Sequence, residues 1–297
     1  MTSFRRIAGG CWPVVWSPVA TLFRELPDTA PHGWRWLSAW MSEVWVQSGA
    51  VPSTVVISGG QGAGKSTLAA LLVDALGRAG VTAQRVGLDD YYFGRSERAA
   101  LAEAVHPLFI TRGVPGTHDV AHLRESLAAL CKSGELLLPR FDKGVDEPCP
   151  ISQWLKVSAP VDTVVLEGWC LGVSPESDAQ LRTPINALER DEDAAGRWRH
   201  HVNRRLGDDY AQLLDGSEFL MYLQVPDLDA VYRWRAAQEH QLPAAQRMTA
   251  SRLRRFIAHF ERLTRALDRQ LAGRCNLTVS LGPRHGIRRC QAGERSF

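Results

Sequence analysis

The sequence predicts an α/β fold, a mostly parallel sheet with helices on both faces, carrying a helical N-terminal extension and a helical lid. Three observations support this. Short apolar runs of buried-strand type alternate with amphipathic helical stretches, the pattern of strands covered by crossover helices. A glycine-rich turn joins the first such strand directly to the first such helix. Composition is that of a folded globular chain, with 45% hydrophobic and 23% charged residues in 297.

Residues 1–50 hold six of the ten tryptophans: Trp12, Trp16, Trp34, Trp36, Trp40 and Trp45. Trp36, Leu37, Trp40, Met41 and Val44 fall at helical spacing, so this stretch is expected as an extension packed on the core. A contact between two copies in a homodimer is the alternative. From Pro52 the pattern becomes strand–turn–helix. Val55, Val56 and Ile57 form an apolar run, and the helix after the turn has Leu68, Leu71, Leu72, Ala75 and Leu76 on one face until Gly80 stops it. Further strands are expected over 84–88, 136–141, 163–166, 219–225 and 277–281. Helices are expected over 120–132, 193–214, 228–240 and 249–271. The last has Leu253, Phe256, Ile257, Phe260, Leu263 and Leu267 on one face. Residues 51–297 thus read as one domain behind the extension.

The formal net charge of +3 suits an anionic small molecule and makes no case for nucleic acid, which needs a concentrated basic stripe. The six cysteines (Cys11, Cys131, Cys149, Cys170, Cys275 and Cys290) form no C-x-x-C pair and no zinc spacing. Reduced thiols in a cytoplasmic protein are expected. No run approaches the roughly 18 apolar residues of a membrane span. The segment from Arg5 to Cys11 resembles an export signal only until Pro13 and Pro18 interrupt the apolar stretch.

Gly59-Gly60-Gln61-Gly62-Ala63-Gly64-Lys65-Ser66 fits the phosphate-binding pattern G-x-x-x-x-G-K-[ST], in the strand-to-helix setting it requires. The glycines let the backbone curl so that successive N–H groups face phosphate oxygens, and the helix start adds its positive dipole end. Lys65 is expected on the β- and γ-phosphates, the Ser66 hydroxyl on Mg²⁺, and Thr67 near the α-phosphate. The fold is therefore expected to be of the P-loop NTPase type, with ATP and Mg²⁺ as cofactors.

Transfer to an alcohol needs a group that orients the hydroxyl and takes its proton. Asp89 and Asp90 close the second strand, and strand carboxyl ends face the ligand crevice in doubly wound sheets. Asp89 is the expected base. Glu167 follows another buried strand and is expected near metal and substrate. Metal-supporting candidates are thus Ser66, Asp89 and Glu167. Arg112 and His118 precede a helix that Asp119 is placed to cap, and they are candidates for an anionic substrate. Arg140 and Asp142 sit in a strand-end charge cluster. Of two Arg-rich helical stretches, the second supplies Arg233 and Arg235 as a basic lid over the phosphates.

This motif set resembles the D-glycerate 3-kinase family, P-loop kinases related to uridine kinase, pantothenate kinase and phosphoribulokinase. The resemblance rests on residues 59–67, Leu88-Asp89-Asp90-Tyr91-Tyr92, Arg112-Gly113-Val114-Pro115-Gly116-Thr117-His118-Asp119, Leu138-Pro139-Arg140-Phe141-Asp142-Lys143 and Glu167-Gly168-Trp169-Cys170-Leu171-Gly172. Trp198-Arg199-His200-His201-Val202-Asn203 and Tyr232-Arg233-Trp234-Arg235 extend it. It implies transfer of the ATP γ-phosphoryl to the 3-hydroxyl of D-glycerate, with Asp89 as base and Asp90, Tyr92, Arg112, His118, Arg140, Asp142 and Glu167 on the substrate side. The family's longer loop with a basic residue is replaced here by Lys143-Gly144-Val145-Asp146-Glu147-Pro148. A related kinase acting on a nucleoside or pantothenate, and a nucleotide-binding regulator, are the alternative functions.

Overall fold

The computed structural model describes residues 17–241 and 247–294. Trp12, Trp16, Cys11 and the segment from Arg5 lie outside them. In chain order the strands are β1 (Thr54–Gly59), β2 (Ala83–Gly87), β3 (Gly134–Leu138), β4 (Phe141–Asp142), β5 (Glu147–Pro148), β6 (Leu155–Ala159), β7 (Thr163–Gly168), β8 (Phe219–Gln224), β9 (Leu277–Leu281) and β10 (Ile287–Ala292). The helices are α1 (Ser17–Glu25), α2 (His32–Ser48), α3 (Lys65–Arg78), α4 (Arg95–Ala104), α5 (Val120–Leu130), α6 (Asp178–Arg182), α7 (Ala187–Glu192), α8 (Arg197–Arg205), α9 (Leu228–Gln241) and α10 (Ala250–Leu271).

The central sheet has the order β10-β9-β8-β1-β7-β2. Its pairs are parallel except β10 with β9. The first strand therefore lies between later ones, and the crevice at its carboxyl end is where such sheets bind ligands. Alternation along each strand feeds two cores. Val56, Leu166, Leu220 and Tyr222 face one, with Trp169, Trp198, Phe260 and Leu267. Val55, Ile57, Val165, Met221 and Leu223 face the other, with Leu68, Leu72 and Leu76 of α3. Ile57 and Val165 are 0% exposed, which is why these strands read as unbroken apolar runs rather than alternating ones.

The helical extension lies on α3, with α1 against α2. Of the expected stripe Trp36, Leu37, Trp40, Met41 and Val44, Leu37 and Met41 are buried, and the buried face is completed by Trp34 and Trp45 rather than by Trp36, Trp40 and Val44. Trp36 and Trp40 are half-buried beside the small cluster of α1. The Trp45 and Phe219 rings meet edge-on at 5.1 Å and anchor the extension to β8.

Two expected elements differ. The run over 136–141 splits at Pro139, which has no N–H for a ladder. Its parts pair antiparallel outside the central sheet, β3 with β6 and β4 with β5. The helix expected over 193–214 starts at Arg197, because Gly196 takes φ 76° and the Asp193 carboxylate accepts from the backbone N–H groups of Trp198 and Arg199. It then loosens into a π turn at Leu206–Tyr210. α4 and β10 carry no apolar stripe and were not expected. Among the described residues the cysteines are unpaired thiols, and no helix is long and apolar enough to cross a membrane.

α10 follows its stripe closely: Leu253, Ile257, Phe260, Leu263 and Leu267 are buried. Its Arg262 is buried too. The guanidinium donates to both oxygens of Glu189, at 2.8 and 2.6 Å, and to Glu176 at 2.8 Å. Removing it leaves the buried Glu189 carboxylate without its cation and the buried Glu176 with Arg269 alone. Arg262→Met should therefore lower unfolding free energy by about 3–5 kcal/mol in urea titrations. An unchanged midpoint would mean that water reaches those carboxylates.

Candidate active site

The turn after β1 is shaped by two glycines with left-handed backbone, Gly62 at φ 72° and Gly64 at φ 90°. A Cβ on Gly62 would also stand 3.1 Å from Trp234. The turn opens into a cavity of about 720 Å³, within the range of small-molecule sites. Gln61, Gly62, Gly64, Lys65, Ser66 and Thr67 line it. Gly59, Gly60 and Ala63 form the base of the turn; Ala63 is fully buried. The Lys65 ammonium donates to the Gly60 carbonyl at 3.1 Å. Burial lowers the pKa of this lysine against the pull of Glu167 and Asp89.

Glu167 is the penultimate residue of β7, not a residue after it. The residue is 5% exposed, and its carboxylate accepts from the Ser66 hydroxyl at 2.6 Å. Burial raises its pKa, and Lys65 opposes the rise.

Asp89 sits in a single 3-10 turn, Leu88–Tyr91, that follows β2. Leu88, fully buried, pins the turn. The Tyr92 hydroxyl donates to one Asp89 oxygen at 2.7 Å and the Lys143 ammonium to the other at 2.5 Å. Burial pushes this carboxyl up, but Lys143, the Tyr92 bond and Lys65 together hold it below its usual range. It is ionised at neutral pH.

Arg112 reaches the cavity and is paired with Asp146 of the β4–β5 turn. Its guanidinium lies 5.6 Å from the Phe141 ring centroid. Arg235 of α9 also lines the cavity, bound to Glu239 at 2.7 Å.

The remaining expected residues lie elsewhere. His118 is fully buried behind Tyr92, ring centroids 4.5 Å apart, and shares a hydrogen bond with the Tyr210 hydroxyl at 2.5 Å. Asp90 and Arg140 line a neighbouring groove with Arg85. Asp142 accepts from the Gly144 and Val145 backbone and shapes its own turn. Arg233 points away, 3.9 Å from Asp227. Asp119 caps α5 as expected, accepting from the His122 N–H at 3.0 Å.

Lys143, Gln238, Phe256, Phe260, Trp34, Arg284 and His285 line the cavity without having been singled out. Lys143 had a signal, being the basic end of the Pro139–Lys143 cluster. The shortened turn after it supplies Asp146 to Arg112 rather than a base to the substrate.

Among the described residues no group of three or more His, Cys, Asp or Glu could hold a metal by itself. The donors present are hard oxygens: Ser66, Glu167 and, beyond them, Asp89. That set fits Mg²⁺, which keeps waters and substrate phosphates among its ligands and takes only one or two protein groups.

No family model matches the chain. It is 34% identical to the "Uncharacterized kinase mug58" of Schizosaccharomyces pombe over 226 residues, 70% of this chain and 78% of that one. It is 30% identical to the "Probable ATP-dependent kinase TDA10" of Saccharomyces cerevisiae over 218 residues, 67% of this chain and 71% of that one. Among solved structures, a D-glycerate 3-kinase from Cryptococcus neoformans superposes with TM-score 0.70 at 24% identity, over 86% of this chain and 99% of that one.

Burial depresses the His118 pKa to about 3, and that of His259 to about 4. Each binds a proton on unfolding once pH falls below about 6.5, so each removes up to about 1.4 kcal/mol of stability per pH unit below that point. The loss from His118 ends near its folded pKa. In urea titrations from pH 7 to 4.5, His118→Asn should show the shallower decline, by about one proton; carboxylate contributions are common to both proteins and cancel. Parallel curves would mean that His118 titrates as in the unfolded chain.

Proposed function

The chain belongs to the kinase family of mug58 and TDA10, and from that premise we propose that it transfers the γ-phosphoryl group of ATP to the 3-hydroxyl of D-glycerate, giving 3-phosphoglycerate and ADP. The observation that carries this reading is the position of Asp89, ionised and half-buried, in the same cavity as the phosphate turn.

The inward N–H groups at 60–67 and Lys65 hold the phosphates. Lys65 exchanges its bond to the Gly60 carbonyl for phosphate oxygen. Ser66 and Glu167 would hold Mg²⁺, whose chemistry is to neutralise charge on the phosphates. Asp89 accepts a hydrogen bond from the acceptor hydroxyl in place of Tyr92 or Lys143, which aims the oxygen and leaves a carboxylate to take its proton. A carboxyl with a lowered pKa is a weak base. Phosphoryl transfer through a loose transition state asks more for orientation than for base strength. Trp169, Phe256 and Phe260 wall this half and exclude water as a competing acceptor.

Glycerate fits as a small anion with two hydroxyls. Arg112, Lys143 and Arg235 are the cations on this side of the cavity. One charge-assisted bond to its carboxylate is worth about 1.5–3 kcal/mol. The D-glycerate 3-kinase fold and the quoted motifs point the same way. A second reading, a different small alcohol such as a nucleoside or pantothenate, draws on the Arg112–Asp146 pair, which neutralises part of the charge a carboxylate would need.

ADP release should rise sharply on adding D-glycerate, with phosphate on O3 of the product. A panel with nucleosides and pantothenate should give no comparable stimulation; a stronger response to one of them selects the second reading. Asp89→Asn should keep nucleotide binding and lose about 10²–10⁴-fold in turnover. Near-normal turnover would remove Asp89 from the chemistry.

A further inference from the structure

The cations on the acceptor side of the cavity each have a carboxylate already. Arg112 is paired with Asp146, Lys143 with Asp89 and Arg235 with Glu239. Their formal charges cancel before a ligand enters, and a triphosphate beside them adds only negative charge. Two of the carboxylates have other duties. Asp89 faces the acceptor hydroxyl, and Glu239 also accepts from the Met248 N–H at 3.0 Å, which ties α9 to the segment before α10. Asp146 differs, because it reaches the site only through Arg112.

Asp146 is fixed in place from several sides. It ends the four-residue turn between β4 and β5 with a left-handed backbone, φ 62°, which Asp and Asn adopt more readily than other residues with a side chain. Its N–H donates to the Asp142 carbonyl at 2.8 Å. One carboxylate oxygen accepts from the Arg98 guanidinium at 2.8 Å, with Arg95 at 3.6 Å from the same oxygen. Arg98 is 2% exposed and also donates to the carbonyls of Phe93 at 3.1 Å and Ile110 at 2.6 Å. The carboxylate is thus pinned to a buried cation of α4. Its other oxygen accepts from Nη1 of Arg112. Burial works against the charge, and Arg98 and Arg112 hold this carboxyl below its usual range.

A chain of Arg98, Asp146 and Arg112 therefore runs from beneath α4 to the cavity wall. Arg112 keeps donors for a ligand, since its Nη2 is only loosely held, 3.4 Å from the Lys143 carbonyl. Part of its charge is already answered. One carboxylate can dock on such a guanidinium. A second negative charge on the same ligand group would stand near Asp146, and like charges at that range repel.

We propose that Asp146 is the specificity-determining residue for acceptor charge: pinned by Arg98 and paired with Arg112, it admits an alcohol carrying one negative charge and rejects one carrying two. The proposal rests on the kinase reading and deepens it. It narrows the acceptor to hydroxy acids with a single carboxylate and excludes polyol and sugar phosphates.

The test uses the full chain with D-glycerate as acceptor and glycerol 3-phosphate as its competitor, a phosphate ester replacing the carboxylate. The ester passes from one negative charge to two near pH 6, while glycerate keeps one. From about pH 5 to pH 7.5 the wild-type inhibition constant of the ester, divided by the KM for D-glycerate, should rise about tenfold, the worth of one charge-assisted contact. The division cancels protein groups whose titration affects both ligands. Asp146→Asn suits the left-handed backbone and removes the charge. Its ratio should stay nearly flat, and Asp146→Glu should restore the rise. The wild-type arm decides without any variant, because a flat ratio there would overturn the proposal. So would an equal rise in Asp146→Asn. Absence of any turnover of D-glycerate by the wild type would remove the acceptor reading, and this proposal with it.

Discussion

A hydrogen bond of 2.6 Å from the Ser66 hydroxyl to Glu167 joins the first turn of α3 to the end of β7. It closes the gap between the phosphate turn and the strand next to it. Glu167 is held there against burial, which raises its pKa, by Lys65 and by this bond. Moving either partner would leave a buried carboxylate near Asp89 with less to offset their repulsion. The same two carboxylates work against the burial that depresses Lys65. The acidic and basic groups of the site are therefore mutually dependent.

That balance explains why so many side chains behind the cavity wall serve to hold those that line it. Tyr92 holds Asp89 because His118 stands behind its ring, and His118 is fixed by Tyr210 from the π turn after α8. Arg112 keeps its place over Phe141 because Asp146 takes its charge, and Asp146 also binds the buried Arg98 of α4. Orientation to within a few tenths of an ångström is what catalysis by positioning requires, and these supports come from elements scattered over more than a hundred residues of sequence.

This also accounts for what was legible beforehand. The phosphate turn, its strand and its helix were readable because local chemistry fixes them: glycines where φ must be positive, a lysine and a hydroxyl at the helix start. The parallel strands were readable because burial on both faces leaves unbroken apolar runs. Asp89 and Glu167 followed from lying at strand ends. The segment 112–119 was readable as a unit but not in its parts. Nothing local distinguishes Arg112, which reaches the cavity, from His118, which turns into the core, since that depends on Tyr210, nearly a hundred residues later. Arg140 and Arg112 looked equivalent as strand-end arginines. Pro139 decides between them by ending β3 and sending Arg140 to the neighbouring groove.

The tryptophans of the extension show the same limit in another form. Helical spacing gave the helix, but the face it buries is set by what it meets, and α3 and β8 offer Trp34 and Trp45 the deeper seats. Trp34 thereby stands beside Gly64, at the point where the phosphate turn becomes a helix. Gly64 is in a left-handed conformation that no large residue would share, so the turn presents an open backbone surface on that side. An aromatic wall there serves folding, by covering apolar strand residues, and shapes the cavity at the same time. The costs of ordering α2 are then shared between core packing and the ligand site, which is a physical reason for a P-loop kinase to carry a helical layer ahead of its first strand.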